Sequence, residues 1–262
     1  MFLRLVLLFL SLAPISAGWA GTKLVLVGGG DRPPAAMRQF VDWAGGADAQ
    51  ILIIGWASEQ PEVYFETISN DLRAQGANGF TASLRGPESR EDVPAFTRQF
   101  LAKLGSASAV FFTGGDQTKH MRVIRLPGIQ AALQRAYLEG VPFAGTSAGT
   151  AIMSQLMLTG EGSEVAPGLG LLPEGVIVDQ HARREGRVER DLEAMRENGI
   201  SKGILIDENN AFTLVDGLYG KMIGPDYVKL FTMEPSGQIR VRELYDGDEI
   251  PIWPLGSRRR GR

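Results

Sequence analysis

Residues 145 to 149 read Gly-Thr-Ser-Ala-Gly, a G-x-S-x-G pentapeptide directly after the apolar run VPFA. This is the pattern of a strand-to-helix elbow, where flanking glycines relieve the crowding around a sharply turned serine and leave its hydroxyl exposed. A helix beginning near Ala148 would aim its first amides at charge developing on an attacked carbonyl, which makes the Ala148 N–H a natural oxyanion donor. A tight turn capped by a serine has the same local pattern, so Ser147 needs partners before it reads as a nucleophile.

A serine needs a base, and the chain has two histidines, His120 and His181. His181 ends the run GVIVDQ, where it would face the same sheet edge as Ser147. His120 lies in TKHMRVIR, a polar stretch of helical character, and is expected as a partly exposed helix residue. The base is therefore assigned to His181. The third member should be a carboxylate that holds the imidazole tautomer. Glu208, at the end of GILIDE, is the candidate, with Asp207 and Asp179 as rivals. The chain has no cysteine, which excludes thiol nucleophiles, disulfides and Cys-based zinc sites. No residue spacing suggests a metal or an organic cofactor.

These residues must be held by something, and the surrounding pattern says what. TKLVLV from Thr22, QILIIG from Gln50, SAVFFT from Ser108, VPFAGT from Val141 and GVIVDQ from Gly175 are nearly continuous apolar runs, as suits strands covered on both faces. Between them, EVYFETISNDLRAQG from Glu62, DVPAFTRQFLAKLG from Asp92 and GIQAALQRAYLEG from Gly128 fit helices, each ending at a glycine that could cap it. Alternating strand and helix predicts an α/β fold with a mostly parallel sheet. From about Ile204 the runs shorten (GILIDE, AFTLVD, YVKLFT, IRVREL) and predict antiparallel strands extending the same sheet. The chemistry-bearing blocks GGDQ (114–117), GTSAG and DQH (179–181) all follow strand candidates, the edge where sites gather in such sheets. GGG at 28–30 follows one too. It lacks the G-x-G-x-x-G register, so a dinucleotide site is rejected and the glycines read as a steric turn.

The first 20 residues, MFLRLVLLFLSLAPISAGWA, carry one charge at Arg4, a short apolar stretch and small residues near Ala17 and Ala20. That is the grammar of a secretory signal peptide. The chain is expected to be exported, periplasmic or extracellular, with residues 21–262 as one domain and no membrane attachment after cleavage. With 27 basic and 30 acidic side chains the net charge is −3, one unit more negative without Arg4, so nothing invites nucleic acid. The SRRRGR tail reads as a solvated end.

Four blocks in order, GGDQ, GTSAG, DQH with arginines following, and GILIDENNAF from Gly203, resemble the cyanophycinase and dipeptidase E family of serine peptidases. The resemblance implies Ser147 as nucleophile, His181 as base and Glu208 as its acidic partner, the positions reached independently. It also implies a three-layer α/β/α sandwich related to the class I glutaminases, and a homodimer. Cyanophycinases cleave an aspartate polymer carrying arginines and release β-Asp-Arg dipeptides. The resemblance assigns substrate binding to Gln117, Asp179, Gln180, Arg187 and Arg190; for acyl transfer, the second oxyanion amide is expected from Gly115 or Asp116 beside that of Ala148. Three positions depart from the family pattern: Ala182 replaces an aromatic, Glu185 an arginine and Thr150 an alanine. Either the Glu185 carboxylate alters the site, or Arg183 or Arg184 supplies the missing charge.

Overall fold

The computed structural model describes residues 21–160, 162–183 and 186–252. The expected leader, the arginine tail, Arg184 and Glu185 lie outside them. Strands β1 (Lys23–Val27), β2 (Gln50–Ile54), β3 (Gly79–Ser83), β4 (Ala109–Phe112) and β5 (Phe143–Thr146) alternate with helices α1 (Pro34–Ala44), α2 (Pro61–Arg73), α3 (Val93–Ser106), α4 (Gln117–Ile124) and α5 (Ile129–Leu138). After β5 come the short α6 (Ala148–Ala151), a ribbon of β6 (Leu156–Leu158) and β7 (Val165–Pro167), then β8 (Val176–Gln180), α7 (Arg187–Glu197) and β9 (Lys202–Ile206). The chain finishes with β10 (Ala211–Val215), β11 (Tyr219–Ile223), β12 (Tyr227–Met233), β13 (Ile239–Tyr245) and β14 (Glu249–Pro251).

The main sheet has the order β14-β11-β10-β1-β5-β4-β2-β3, parallel from β1 to β3 and antiparallel across β10, β11 and β14. Its inner strands are apolar throughout because both faces are covered: Val25, Val27, Ile51 and Phe111 pack on one side, Leu24, Leu26, Leu52 and Phe112 on the other. The last third differs from expectation. Strands β10, β11 and β14 extend the main sheet, whereas β9, β12 and β13 join β8 in a separate four-stranded sheet, order β13-β12-β9-β8. The physical reason is that β8 and β9 are buried along their whole length and need a layer of their own: Ile204 and Ile206 face the main core, and Leu205 faces a smaller one with Ile177 and Met195.

Two helix details also differ. Helix α3 runs through Gly105 to Ser106, so that glycine is no cap, while Gly76 and Gly140, at φ 102° and 93°, lie just beyond α2 and α5. His120 is fully buried rather than partly exposed. Helix α4 turns His120, Met121, Val123 and Ile124 inward, and the imidazole packs between Phe112 and Trp56. Its Nε2 lies 3.0 Å from the Thr113 carbonyl, and burial pushes its pKa down from 6.5 to about 4, so it stays neutral.

Candidate active site

Strand register brings the blocks to one edge. In the parallel pair β1–β5, Val27 faces Thr146, so Gly28 and Ser147 follow at the same level. In β8–β9, Gln180 faces Ile206, which puts His181 beside the Asp207–Glu208 turn. The continuation of β1 then fastens all three loops with successive carbonyls. Val27 O accepts the Ser147 amide at 3.0 Å, Gly28 O the His181 amide at 3.1 Å and Gly29 O the Asn209 amide at 2.9 Å.

Ser147, His181 and Asn209 all sit at positive φ (51°, 55° and 62°), backbone geometry that is uncommon without glycine and persists only where the surroundings impose it. At the elbow the glycines are obligatory. A Cβ on Gly145 would lie 2.2 Å from the Gly149 carbonyl oxygen, and one on Gly149 would lie 2.3 Å from that of Phe112. Thr150, which departs from the family alanine, fastens the elbow from behind. Its hydroxyl accepts the Val27 amide at 3.0 Å and lies 2.7 and 2.8 Å from the carbonyls of Val27 and Gly145.

Ser147 Oγ is 2.9 Å from His181 Nε2, and His181 Nδ1 is 2.6 Å from Glu208 Oε1. With the carboxylate on Nδ1, that nitrogen carries the proton and Nε2 is left to accept from the serine hydroxyl. The rival carboxylates are engaged elsewhere. Asp207 pairs with Arg183 at 2.9 Å, and Asp179 takes a bidentate contact from Arg190 at 2.6 to 2.9 Å. Of the amides weighed for the oxyanion, Asp116 N–H donates to the Ala57 carbonyl at 3.1 Å and is removed from the set. Those of Gly115 and Ala148 make no hydrogen bond among the described residues. The Asp116 carboxylate instead caps α4: burial raises its pKa, but the hydrogen bonds from Thr118 outweigh this and lower it.

The matching family model, peptidase family S51, spans residues 24–219. The chain belongs to peptidase family S51. It is thus a serine-type peptidase. A cyanophycinase of Geminocystis herdmanii is 31% identical over 204 residues, covering 74% of this chain and 73% of that protein. One of Trichormus variabilis is 30% identical over 244 residues, covering 88% and 80%. A solved peptidase from an acI-B1 actinobacterium superposes with a TM-score of 0.69 at 19% identity, over 89% of this chain and 98% of that one, and so shares its fold.

In this S51 peptidase, a cavity of about 290 Å³ opens over the serine, lined by Ser147, His181, Gly115, Gln117, Gln180 and Arg187 among others. Gln117 donates to the Leu158 carbonyl at 3.0 Å, which fixes it on that wall. Asp179 and Arg190 do not reach the cavity. They lie behind it, nearly inaccessible, where Arg190 also donates to the Gly160 carbonyl and so holds the lining segment. Arg187 is buried too, 3.6 Å from Asp179, and its Nε has no partner among the described residues. Asp191 joins this cluster from the next turn of α7. Burial first, and contact with Asp179 second, push Asp191 well above the usual carboxylate range. Burial raises Asp179 as well, against the pull of Arg190. Both shifts disfavour ionising the two acids together.

Arg183 does not supply the charge missing at Glu185. It is turned away from this cavity and held by Asp207 and Asp226. Sequence reasoning missed Asp191, the Thr150 clasp and the role of Gly29. A Cβ on Gly29 would lie 2.4 Å from His181 Cε1, and the residue adopts φ 130°. The GGG run was the available signal.

Proposed function

We propose that this S51 peptidase is an exported exopeptidase of the cyanophycinase type, releasing dipeptides from cyanophycin or a related aspartate-containing isopeptide through an acyl-enzyme. The observation that carries the reading is the relay Ser147–His181–Glu208, at 2.9 and 2.6 Å, at the mouth of a cavity that ends in a buried arginine. His181 Nε2 takes the hydroxyl proton as Ser147 Oγ attacks the carbonyl carbon, and the Gly115 and Ala148 amides hold the oxyanion. The carbon–nitrogen bond then breaks as His181 passes that proton to the leaving nitrogen. Water attacks the ester next, giving its proton to His181 Nε2, which returns it to Ser147 Oγ as the acyl product leaves.

Arg187 suits a substrate carboxylate, because its unpartnered Nε and planar fork favour a bidentate acceptor. Relatives named cyanophycinase support that substrate. Export rests on residues 1–20, and a homodimer on the family resemblance. The test is dipeptide release from purified cyanophycin by residues 21–262, beside Ser147→Ala, read by mass spectrometry. β-Asp-Arg formed by the wild type alone is expected. Turnover by Ser147→Ala overturns the nucleophile, and labelling of Ser147 by a fluorophosphonate without dipeptide release overturns the substrate but keeps the serine. Mass spectrometry of the exported protein, and sedimentation, check the mature N-terminus and the dimer.

A further inference from the structure

The second histidine has no part in the relay, yet its surroundings give it a task. His120 is fully buried between Phe112 and Trp56, and its Nδ1 has no hydrogen-bond partner among the described residues. An apolar side chain of similar size would fill that space without stranding a ring nitrogen. What the imidazole adds is a donor. A carbonyl only accepts, so Nε2, 3.0 Å from the Thr113 carbonyl oxygen, carries the proton and donates to it. The described residues offer that carbonyl no backbone amide.

Thr113 leads directly into the loop that carries the Gly115 amide. It is itself fully buried, and its hydroxyl donates to the Gly114 carbonyl at 3.2 Å. That carbonyl belongs to the same peptide unit as the Gly115 N–H. In a trans peptide the two groups point in opposite directions, so the hold on the carbonyl sets the aim of the amide. The unit needs such a hold, because a peptide between two glycines has no side chain to restrict its rotation. On its far side the Asp116 amide is tied to the Ala57 carbonyl at 3.1 Å. On its near side the fastening is Thr113, and His120 fastens Thr113. The unit also lies against the elbow: a Cβ on Gly114 would be 3.4 Å from Ser147 Cβ, and Gly115 lines the cavity with Ser147.

We propose that His120 is a positioning residue for acyl transfer, and that Thr113 is its intermediary. By donating to the Thr113 carbonyl, His120 fixes the residue whose hydroxyl holds the Gly114 carbonyl, which keeps the Gly115 amide aimed at the oxyanion. This role presupposes the acyl-transfer reading, since only a developing oxyanion makes the aim of that amide matter. It touches neither substrate nor nucleophile, and its effect falls on the rate of the bond-making step.

The test follows labelling of Ser147 by a biotin-tagged fluorophosphonate. There the Oγ–phosphorus bond forms, the phosphorus–fluorine bond breaks, the hydroxyl proton passes to His181 and fluoride leaves. Negative charge builds on the phosphoryl oxygen as it would on a carbonyl, so the labelling rate reads the oxyanion amides. Normalising that rate to the fraction labelled at completion removes misfolded protein from the comparison. His120→Leu and Thr113→Val should each label about 10- to 100-fold more slowly than wild type, within the worth of one oxyanion donor. His120→Gln keeps a donor and Thr113→Ser keeps the hydroxyl, so both should stay close to the wild-type rate. A wild-type rate in His120→Leu, with only its urea midpoint lowered, would reduce His120 to packing and overturn the proposal. So would a rate in His120→Gln as slow as that of His120→Leu. A second readout uses glycine isotopically labelled at its carbonyl carbon and its nitrogen, which reports by NMR on Gly–Gly peptides alone: 28–29, 29–30, 45–46 and 114–115. The 114–115 amide signal should move in His120→Leu and Thr113→Val and hold in His120→Gln; an unmoved signal overturns the proposal. A wild type that takes no label overturns the acyl-transfer reading instead, while the glycine signal still decides whether His120 holds that peptide.

Discussion

Buried His120 makes the stability of the fold depend on pH in a way that can be worked out in advance. In the folded protein its pKa is pushed down from 6.5 to about 4, chiefly by burial between Phe112 and Trp56, against the Thr113 carbonyl and then the Asp116 charge, which oppose the shift. The unfolded chain therefore binds a proton at a pH where the folded one does not, and stability falls as pH drops from about 6.5 to about 4. The slope approaches about 1.4 kcal/mol per pH unit and the total loss is about 3 kcal/mol, levelling off once the folded form is protonated too. Carboxylates titrate in the same window, so the variant His120→Gln isolates the effect: its amide can donate to Thr113 but takes no proton. Urea midpoints are followed by fluorescence of Trp56, whose ring centroid is 6.4 Å from that of His120. Wild type should lose about 3 kcal/mol relative to the variant between pH 7 and pH 4. A constant difference across that range would refute the assignment of His120 as a neutral buried residue, and with it the account of how α4 is pinned to the strand end that leads into Gly115.

Four further outcomes are expected. Glu208→Gln keeps the size of the side chain but no longer fixes the Nδ1–H tautomer, so kcat on the substrate should fall by about 10³- to 10⁴-fold with little change in KM; a loss under tenfold would remove Glu208 from the relay. Thr150→Val deletes a buried hydroxyl that serves three backbone groups and should cost about 1–3 kcal/mol of unfolding free energy by urea titration, whereas a neutral result would mean the clasp contributes nothing. Gly29→Ala places a methyl against His181 at positive φ and should abolish Ser147 labelling even where circular dichroism shows a folded protein; labelling at the wild-type rate would show that the ring has room. Asp179→Asn strands two buried arginines and should cost about 3–5 kcal/mol, while Asp191→Asn, replacing a protonated acid by a neutral amide, should cost under about 1 kcal/mol; equal costs would place a second ionised carboxylate in the cluster.

How much of this was legible in the sequence follows from how local each feature is. The strands around the nucleophile were, because β1, β2, β4 and β5 are covered on both faces and their apolar runs are unbroken. The grouping of Ser147, His181 and Glu208 was as well, because a chain with two histidines and no cysteine offers few partners to such a serine. Which sheet a late strand joins was not. GILI and AFTLV have the same short apolar pattern, yet β9 pairs with β8 and β12 while β10 pairs with β1 and β11, and the pairing depends on distant partners. The Asp116 amide is lost to the oxyanion only because Ala57, from another loop, comes within 3.1 Å.

The GGG run shows most sharply where local reading stops. Judged by its own residues it is a steric turn without the register of a dinucleotide site. Its importance lies in what approaches it. Three consecutive carbonyls, of Val27, Gly28 and Gly29, hold the amides of Ser147, His181 and Asn209, three residues kept at positive φ and drawn from two different sheets and their connecting loops. Side chains at 28 and 29 would collide with the Asp207 carbonyl and the His181 ring, so the absence of side chains is what lets the two sheets meet closely enough for a 2.9 Å contact between serine and histidine. Ser147 and His181 are aligned by one short piece of backbone that brings no side chain of its own to their contact.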